Sequence, residues 1–534
     1  MTRDPVLKKF KTFNVTTEKT LHGEQQYLEI VNEDLCNCLR NWIQDDTLYN
    51  TTPKVPLDTA SNWLDALRSR QRKGRDDLSS ELFNYLVLVN QDLLGKVEKL
   101  KNDGKISFSL LSHLFPAQSF IEINRDEVQG GTVTSTKYRH SFFGAFFEIE
   151  YNYITTNGTN FVLQSDSVRI PEFDGLVDIM SLYVRPLSNQ RRAELTKRGT
   201  TYASIALGSH YMSYQGHMEI RKWWRWESLR ATGRIMLDDH TFYQFTDNSR
   251  DSEGTVIESL NENQYWMTHA YINGFSFSTK QWGRFAVSNI SPIEFNSHAF
   301  DQLVLPDDKK QLVKALVTNG NSGFQDIIGG KGGGCIFLLH GEPGVGKTLT
   351  AEAIAEHLRR PLYSVSVGEL GVNPNELEAS LRRILDVAHV WNAVILIDEA
   401  DIFLEKRTEG DILRNAMVGI FLRLLEYHSG VLFLTTNRVR EFDKAFHSRI
   451  SIALRYAKLD RAAREKIWTN LLSAAGITGL NPKELAKFDI NGRQIKTTIR
   501  LALGLAQQEG VAVSAEHVKA TLAVSQQFKR DLKK

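Results

Sequence analysis

The residues best suited to chemistry stand in one stretch, Gly341-Glu342-Pro343-Gly344-Val345-Gly346-Lys347-Thr348, which reads G-x-x-x-x-G-K-T. Glycines at those steps let successive backbone N–H groups turn inward around a phosphate. The Lys347 ammonium can then bridge the β- and γ-phosphates, and the Thr348 hydroxyl can reach a divalent cation. Such a motif carries weight only between a strand and a helix, and this one has that setting. Cys335 to His340 is a short apolar run, and Leu349 to Arg359 has helical spacing. A helix starting there also places partial positive charge beside the phosphate. The expected ligands are ATP and Mg²⁺, with Gly341, Pro343, Gly344, Val345, Gly346, Lys347, Thr348 and Leu349 around the nucleotide.

A second constellation lies downstream. Val394-Ile395-Leu396-Ile397 is a buried-strand pattern that ends in two acids, Asp398 and Glu399. Asp398 would hold Mg²⁺ together with Thr348, and Glu399 would polarise the water that attacks the γ-phosphate. The run Val431 to Thr435 leads to Thr436-Asn437, whose amide could position the same water, and Arg449 follows in Phe446-His447-Ser448-Arg449. Read as residues alone, Asn437 has the alternative of a strand-end turn former and Arg449 that of a surface cation.

These groups can meet only if particular elements hold them. From Cys335 onward strand-like and helix-like runs alternate: Pro361 to Val367, Asn375 to Val390, Ala393 to Ile397, Leu413 to His428, Val431 to Thr435. Alternation of this kind predicts a parallel sheet covered by helices on both faces, with ligands at the C-terminal ends of the strands. Phe300 to Pro306 precedes a helix reaching about Val317 and would border the base of the nucleotide.

On these motifs the stretch from Phe300 to about Ala506 resembles the AAA ATPases, and among them the fungal proteins that join one AAA module to a large uncharacterised N-terminal domain. The resemblance implies a P-loop NTPase fold with a C-terminal helical lid. It makes Gly341 to Thr348 the Walker A motif, Asp398-Glu399 the Walker B pair and Asn437 the sensor-1 residue. Arg449 becomes an arginine finger that reaches a neighbouring subunit's ATP, and Arg493 falls near the sensor-2 position on the lid. It also implies a ring oligomer, a hexamer by analogy, acting on a protein client. Members that thread polypeptides place an aromatic residue in the loop after the second strand. Here that loop is Val367-Gly368-Glu369-Leu370-Gly371-Val372-Asn373-Pro374-Asn375, with no aromatic.

The remainder of the chain is less explicit. The 534 residues allow several domains, and the composition, 42% hydrophobic and 24% charged with 65 Lys+Arg against 63 Asp+Glu, is that of a globular protein with no electrostatic bias toward nucleic acid. Cys36, Cys38 and Cys335 make neither a disulfide framework nor a zinc set, and no run of apolar residues is long enough to span a membrane, so an intracellular address, cytoplasmic or nuclear, is expected. The expected organisation is a helical region over 1–105, an α+β or mainly β domain over 106–290, the large α/β subdomain over 291–459 and the lid over 460–534. Tyr27, Ile30, Val31 and Leu35 suggest one helical face in the first region. The basic run Arg70 to Arg75 reads as a solvated loop, His210 and His217 lack further metal ligands, and Trp223-Trp224-Arg225-Trp226 suggests aromatics buried at a domain seam more than a single-strand-binding tip. Three functions stay open: an oligomeric ATPase that remodels a protein client, a nucleotide-gated binding scaffold, and a nucleic-acid-dependent motor.

Overall fold

A computed structural model describes residues 8–20, 23–43, 46–50, 53–60, 63–64, 67, 78–142, 144–223, 225–246, 254–319, 334–405, 411–437 and 444–531. The chemistry-bearing residues sit on a five-stranded parallel sheet. Strands β1 (Cys335–Gly341), β2 (Leu362–Ser366), β3 (Val394–Asp398), β4 (Val431–Thr436) and β5 (Ile452–Tyr456) are arranged β2-β3-β4-β1-β5. The parallel registers pair His340 with Thr436, Ile397 with Leu434 and Ser366 with Asp398. The C-terminal ends of β1, β3 and β4 therefore share one edge, as a parallel sheet with helical crossovers requires.

Both faces of the sheet are covered, which is why its strands read as unbroken apolar runs. Val394 and Leu396 join the core on the side of helix α1 (Lys347–Leu358) and the helix Asp307–Asn319. Ile395 and Ile397 join the opposite core, under α2 (Pro374–Val390) and α3 (Ile412–Glu426). Helix α2 shows how local sequence sets an element. The Asn373 side chain accepts a hydrogen bond from Glu376 N, Pro374 occupies the first turn, and Leu377, Leu381, Ile384, Val387 and Ala388 form the buried stripe.

Beyond β5, helices α4 (Arg461–Ala474), α5 (Gly492–Glu509) and α6 (Ala515–Asp531) pack around Trp468, Ile495, Ile499, Val518 and Leu522. Asn491 and Gln494 form a capping box that starts α5 beside the phosphate loop.

The N-terminal half differs from two sequence expectations. Residues 8–56 are not helical throughout: Lys8–Lys9, Phe13–Thr20, Gly23–Ile30 and Lys54–Pro56 form an antiparallel sheet, against which the helices Glu33–Trp42 and Leu78–Val89 pack. Tyr27, Ile30, Val31 and Leu35 coincide with helical spacing, but Leu28 and Ile30 are buried by strand alternation, and Asn32 caps a new helix that buries Leu35 and Leu39. The second correction concerns the tryptophans. Trp223 lies at the tip of the hairpin between His210–Lys222 and Arg225–Leu237 with φ +57° and is 86% exposed, and Trp226 is 40% exposed beneath the Arg284 guanidinium. These rings therefore do not fill a seam; a tight turn lifts the hairpin tip away from the core. Trp224 and the run Arg70 to Arg75 lie outside the described residues.

The rest of this half holds, among the described residues, a two-stranded sheet of Lys105–Ser107 with Leu176–Asp178 and two larger antiparallel systems. One is a six-stranded sheet that includes Val128–Ser141, Gly144–Thr156 and Phe161–Pro171. In the other, the 210–237 hairpin pairs with Tyr271–Ser276 and Gln281–Ala286 so that four strands close on themselves. His210 and His217 lie seven positions apart on one strand and so point to opposite faces. Among the described residues no group of three or more His, Cys, Asp or Glu is placed to hold a metal, and no helix is long and apolar enough to cross a membrane.

The closed system docks on the nucleotide-binding sheet. Met236 and Phe275 share one apolar core with Val365, Leu381 and Trp391. Phe275 stacks on Tyr363 at 5.4 Å, and Trp391 Nε1 donates to Asp238 Oδ2 at 2.8 Å.

Candidate nucleotide site

The phosphate loop leaves the end of β1 and enters α1. Gly341 has φ +148°, and a Cβ there would lie 2.2 Å from Tyr456 O; Gly344 has φ +77°, and a Cβ there would lie 2.7 Å from the Asn491 side chain. Neither position accepts a side chain, so β5 and the start of α5 can press against the loop from both sides. Asn491 Nδ2 donates to Pro343 O at 3.2 Å, and Gly492 N donates to Gly344 O at 2.9 Å. Val345 is buried in the core on the α1 side, whereas Leu349 is exposed.

Lys347 begins α1 and is 7% exposed. Its ammonium donates to Gly341 O at 2.7 Å, to Glu342 O at 2.9 Å and to Asn437 Oδ1 at 2.8 Å. Burial holds it below the ordinary lysine range, and Arg493 pushes the same way, against the opposing pull of Asp398, Asp401 and Glu399. The β4 terminus and the phosphate loop are thereby joined through one ammonium.

The two acids occupy the end of β3. Thr348 Oγ1 lies 3.3 and 3.4 Å from Asp398 Oδ1 and Oδ2. A hydroxyl beside a carboxylate is a hard-oxygen donor set of the kind Mg²⁺ takes, and the set fits that ion. Glu399 has φ +55°, an unfavourable conformation for a residue with a Cβ. Two bonds from β4 hold the turn: Glu399 N donates to Thr435 Oγ1 at 2.9 Å, and Ala400 N donates to Thr435 O at 2.9 Å. The Thr435 hydroxyl in turn donates to Asp398 Oδ1. One residue further on, the Asp401 carboxylate accepts from the Thr436 hydroxyl and, at 3.3 Å, from Asn437 N.

Lys347, Thr348, Asp398, Glu399, Thr435 and Asn437 line one cavity of about 870 Å³, within the range of small-molecule sites. Its walls come from the loop and acids, from Leu303 to Leu305, from the lid through Asn470, Arg493 and Lys496, and from the N-terminal half through Tyr211, Arg234 and Phe277. Glu352 also faces it; desolvation raises its carboxyl and Lys496 opposes that. At the back of the loop, burial pushes the Tyr456 phenol up to about 12, and its hydroxyl is 2.6 Å from Thr350 Oγ1.

The structure thus brings Lys347, Thr348, Asp398, Glu399, Asn437 and Arg493 to one cavity. Arg449 stands apart from it, with Nη2 2.9 Å from Glu426 Oε2 and Nη1 donating to Ala445 O at 3.0 Å. Thr435, Asp401, Glu352 and Lys496 were not singled out from the sequence. Asp401 had a readable signal, a third carboxylate three positions after Asp398. Thr435 and Lys496 become visible only when β4 and the lid meet the site, and Glu352 only when α1 turns it toward the cavity.

Comparison with known proteins agrees with this geometry. Residues 337–457 match the model of the "ATPase family associated with various cellular activities (AAA)", and residues 96–191 match a domain of unknown function, DUF7025. The chain is 30% identical over 182 residues to human ATPase family AAA domain-containing protein 3B, covering 32% of this chain and 28% of that protein. It is 26% identical over 201 residues to a putative 26S proteasome regulatory subunit homolog of Methanothermobacter thermautotrophicus, covering 35% and 53%. It is 32% identical over 159 residues to spastin of Xenopus tropicalis, covering 28% and 26%. The chain therefore spans only about a quarter to a half of the length of these relatives. A phosphate loop between β1 and α1 of a parallel sheet, acids at the end of β3 and the match over 337–457 identify residues 337–457 as an AAA-type ATPase domain within this chain.

Proposed function

We propose that the protein hydrolyses Mg-ATP as an oligomer and couples hydrolysis to remodelling of a protein client. The supporting observation is the convergence of Lys347, Thr348, Asp398 and Asn437 within hydrogen-bonding distance at one sheet edge, with Glu399 beside them. Loop N–H groups and Lys347 bind the triphosphate, which competes for the ammonium now held by Asn437 and two loop carbonyls. Thr348 and Asp398 would hold Mg²⁺, which neutralises charge on the phosphate oxygens when bound. Glu399 accepts the proton of the attacking water, Asn437 orients that water, and Arg493 brings positive charge from the lid.

Arg449 is outside its own cavity, so its guanidinium serves a neighbouring copy. An arginine supplied in trans contributes about 10³-fold or more to turnover where such fingers have been measured. Turnover per chain should therefore rise with protein concentration, and Arg449→Ala should abolish that rise while leaving ATP binding intact. Adding Lys347→Ala chains, which keep Arg449 but lack their own site, should restore turnover to the Arg449→Ala protein. Turnover independent of concentration would contradict the oligomeric reading.

A second reading is a nucleotide-gated scaffold. It is favoured by the loop after β2, which lacks an aromatic and is tied to the chain's own N-terminal half by the Lys280–Glu369 ion pair at 2.6 Å. It requires partner binding to change with nucleotide state without ATP turnover driving client release.

A further inference from the structure

We infer that Thr435 is a positioning residue for both acids: its hydroxyl holds Glu399 in its left-handed turn and orients the Asp398 carboxylate toward Thr348. The inference rests on the proposed roles of those acids and adds a residue to that site.

Thr435 stands on β4, between the strand that carries the acids and the strand that carries the phosphate loop. It is 1% exposed, so its hydroxyl must find partners inside the protein. An N–H can only donate, so the hydroxyl accepts from Glu399 N, at 2.9 Å, and spends its single hydrogen on Asp398 Oδ1. With the Thr435 carbonyl accepting from Ala400 N, one residue fixes three consecutive positions of the turn after β3. Glu399 is the only one of those three with positive φ. Holding an L residue there needs a compensating contact, and the hydroxyl supplies it. Nothing about the strand itself asks for this group. Valine has the same branched shape and fits a buried β position at least as well, with no polar atom to satisfy. The hydroxyl therefore belongs to the site and not to the sheet.

The test compares Thr435→Val, which keeps the shape and loses the hydroxyl, with Thr435→Ser, which keeps the hydroxyl and loses the methyl, in the full chain. Three quantities are read: amide hydrogen exchange of the peptide containing Glu399 and Ala400 without nucleotide, affinity for a fluorescent ATP analogue, and ATP turnover. Thr435→Val should raise exchange at Glu399 about tenfold. It should lower kcat by about 10- to 100-fold while affinity changes by less than about threefold. Thr435→Ser should stay near wild type in all three. Should the valine protein not fold, Thr435→Ala replaces it, because alanine and serine both lack the methyl and only serine keeps the hydroxyl.

The inference is overturned if the variant without the hydroxyl turns over ATP like wild type, if serine is as impaired as valine or alanine, or if exchange at Glu399 does not change. Glu399→Gln in parallel separates the two claims. Should it hydrolyse ATP normally, the role given to Glu399 fails; should it be inactive while Thr435→Val is normal, only the role of Thr435 fails.

Discussion

Lys347 places an ammonium among three oxygen acceptors, and what distinguishes it is where those acceptors come from: two loop carbonyls and the amide at the end of β4. A phosphate bound here would compete with Asn437 and the two carbonyls for that ammonium, which would couple the grip on nucleotide to the amide at the end of β4. Burial shapes ionisation elsewhere as well. Burial moves the His269 imidazole down to about 4, and Arg284 and Arg198 push the same way. The folded state thus excludes a proton that the unfolded chain takes up at about pH 6.5, so stability is fully present above that pH and is lost as pH falls toward about 4. The loss attributable to this group is on the order of 3 kcal/mol, and His269→Gln should show a correspondingly smaller fall in unfolding free energy between about pH 7 and about pH 4. Equal falls in both proteins would show that the imidazole is not the group responsible.

At the scale of elements, the seam between the halves depends on a few named contacts. Trp391 closes α2, packs on Phe275 at 5.7 Å and donates to Asp238, the residue that caps the helix Asp239–Phe245. Arg234 reaches from the hairpin to Glu356 on α1 at 2.9 Å, and Glu356 also accepts from Asn296 N at 3.0 Å. Trp391→Phe keeps much of the apolar contact and removes the donor, so it should lower unfolding free energy by about 1–3 kcal/mol, read from the denaturant midpoint. No change would mean that packing alone holds the seam. Strands β1 to β4 and helices α1 to α3 were legible in the sequence because Val394 to Ile397 and Val431 to Leu434 are apolar on both faces and α2 carries its own cap and stripe, whereas β5, alternating and at the sheet's edge, was not read. The first sheet was not legible: Tyr27 to Leu35 fits a helical period by coincidence, and only the pairing of Gly23–Ile30 with Phe13–Thr20 and Lys54–Pro56 decides the matter. In the site, Lys347, Asp398 and Glu399 could be read from spacing. Thr435 could not, because its importance lies in what β3 brings opposite it.

Over the whole molecule, the closed β system contributes Tyr211, Arg234 and Phe277 to the wall of the nucleotide cavity and Lys280 to the loop after β2. The N-terminal half is thus in contact with α1 and with the loop at the far end of β2, two places where a change around the triphosphate would be felt. This arrangement fits the proposed remodelling function, in which nucleotide state would pass to the N-terminal half, and that proposal requires first that the chain bind and cleave ATP with the residues assigned. The most direct measurement is the identity of the nucleotide retained by Glu399→Gln protein after incubation with ATP and Mg²⁺ and rapid removal of free ligand. Intact ATP is expected on the variant where wild type holds ADP; ADP on the variant, or no nucleotide on either protein, would contradict the roles given to Lys347, Asp398 and Glu399.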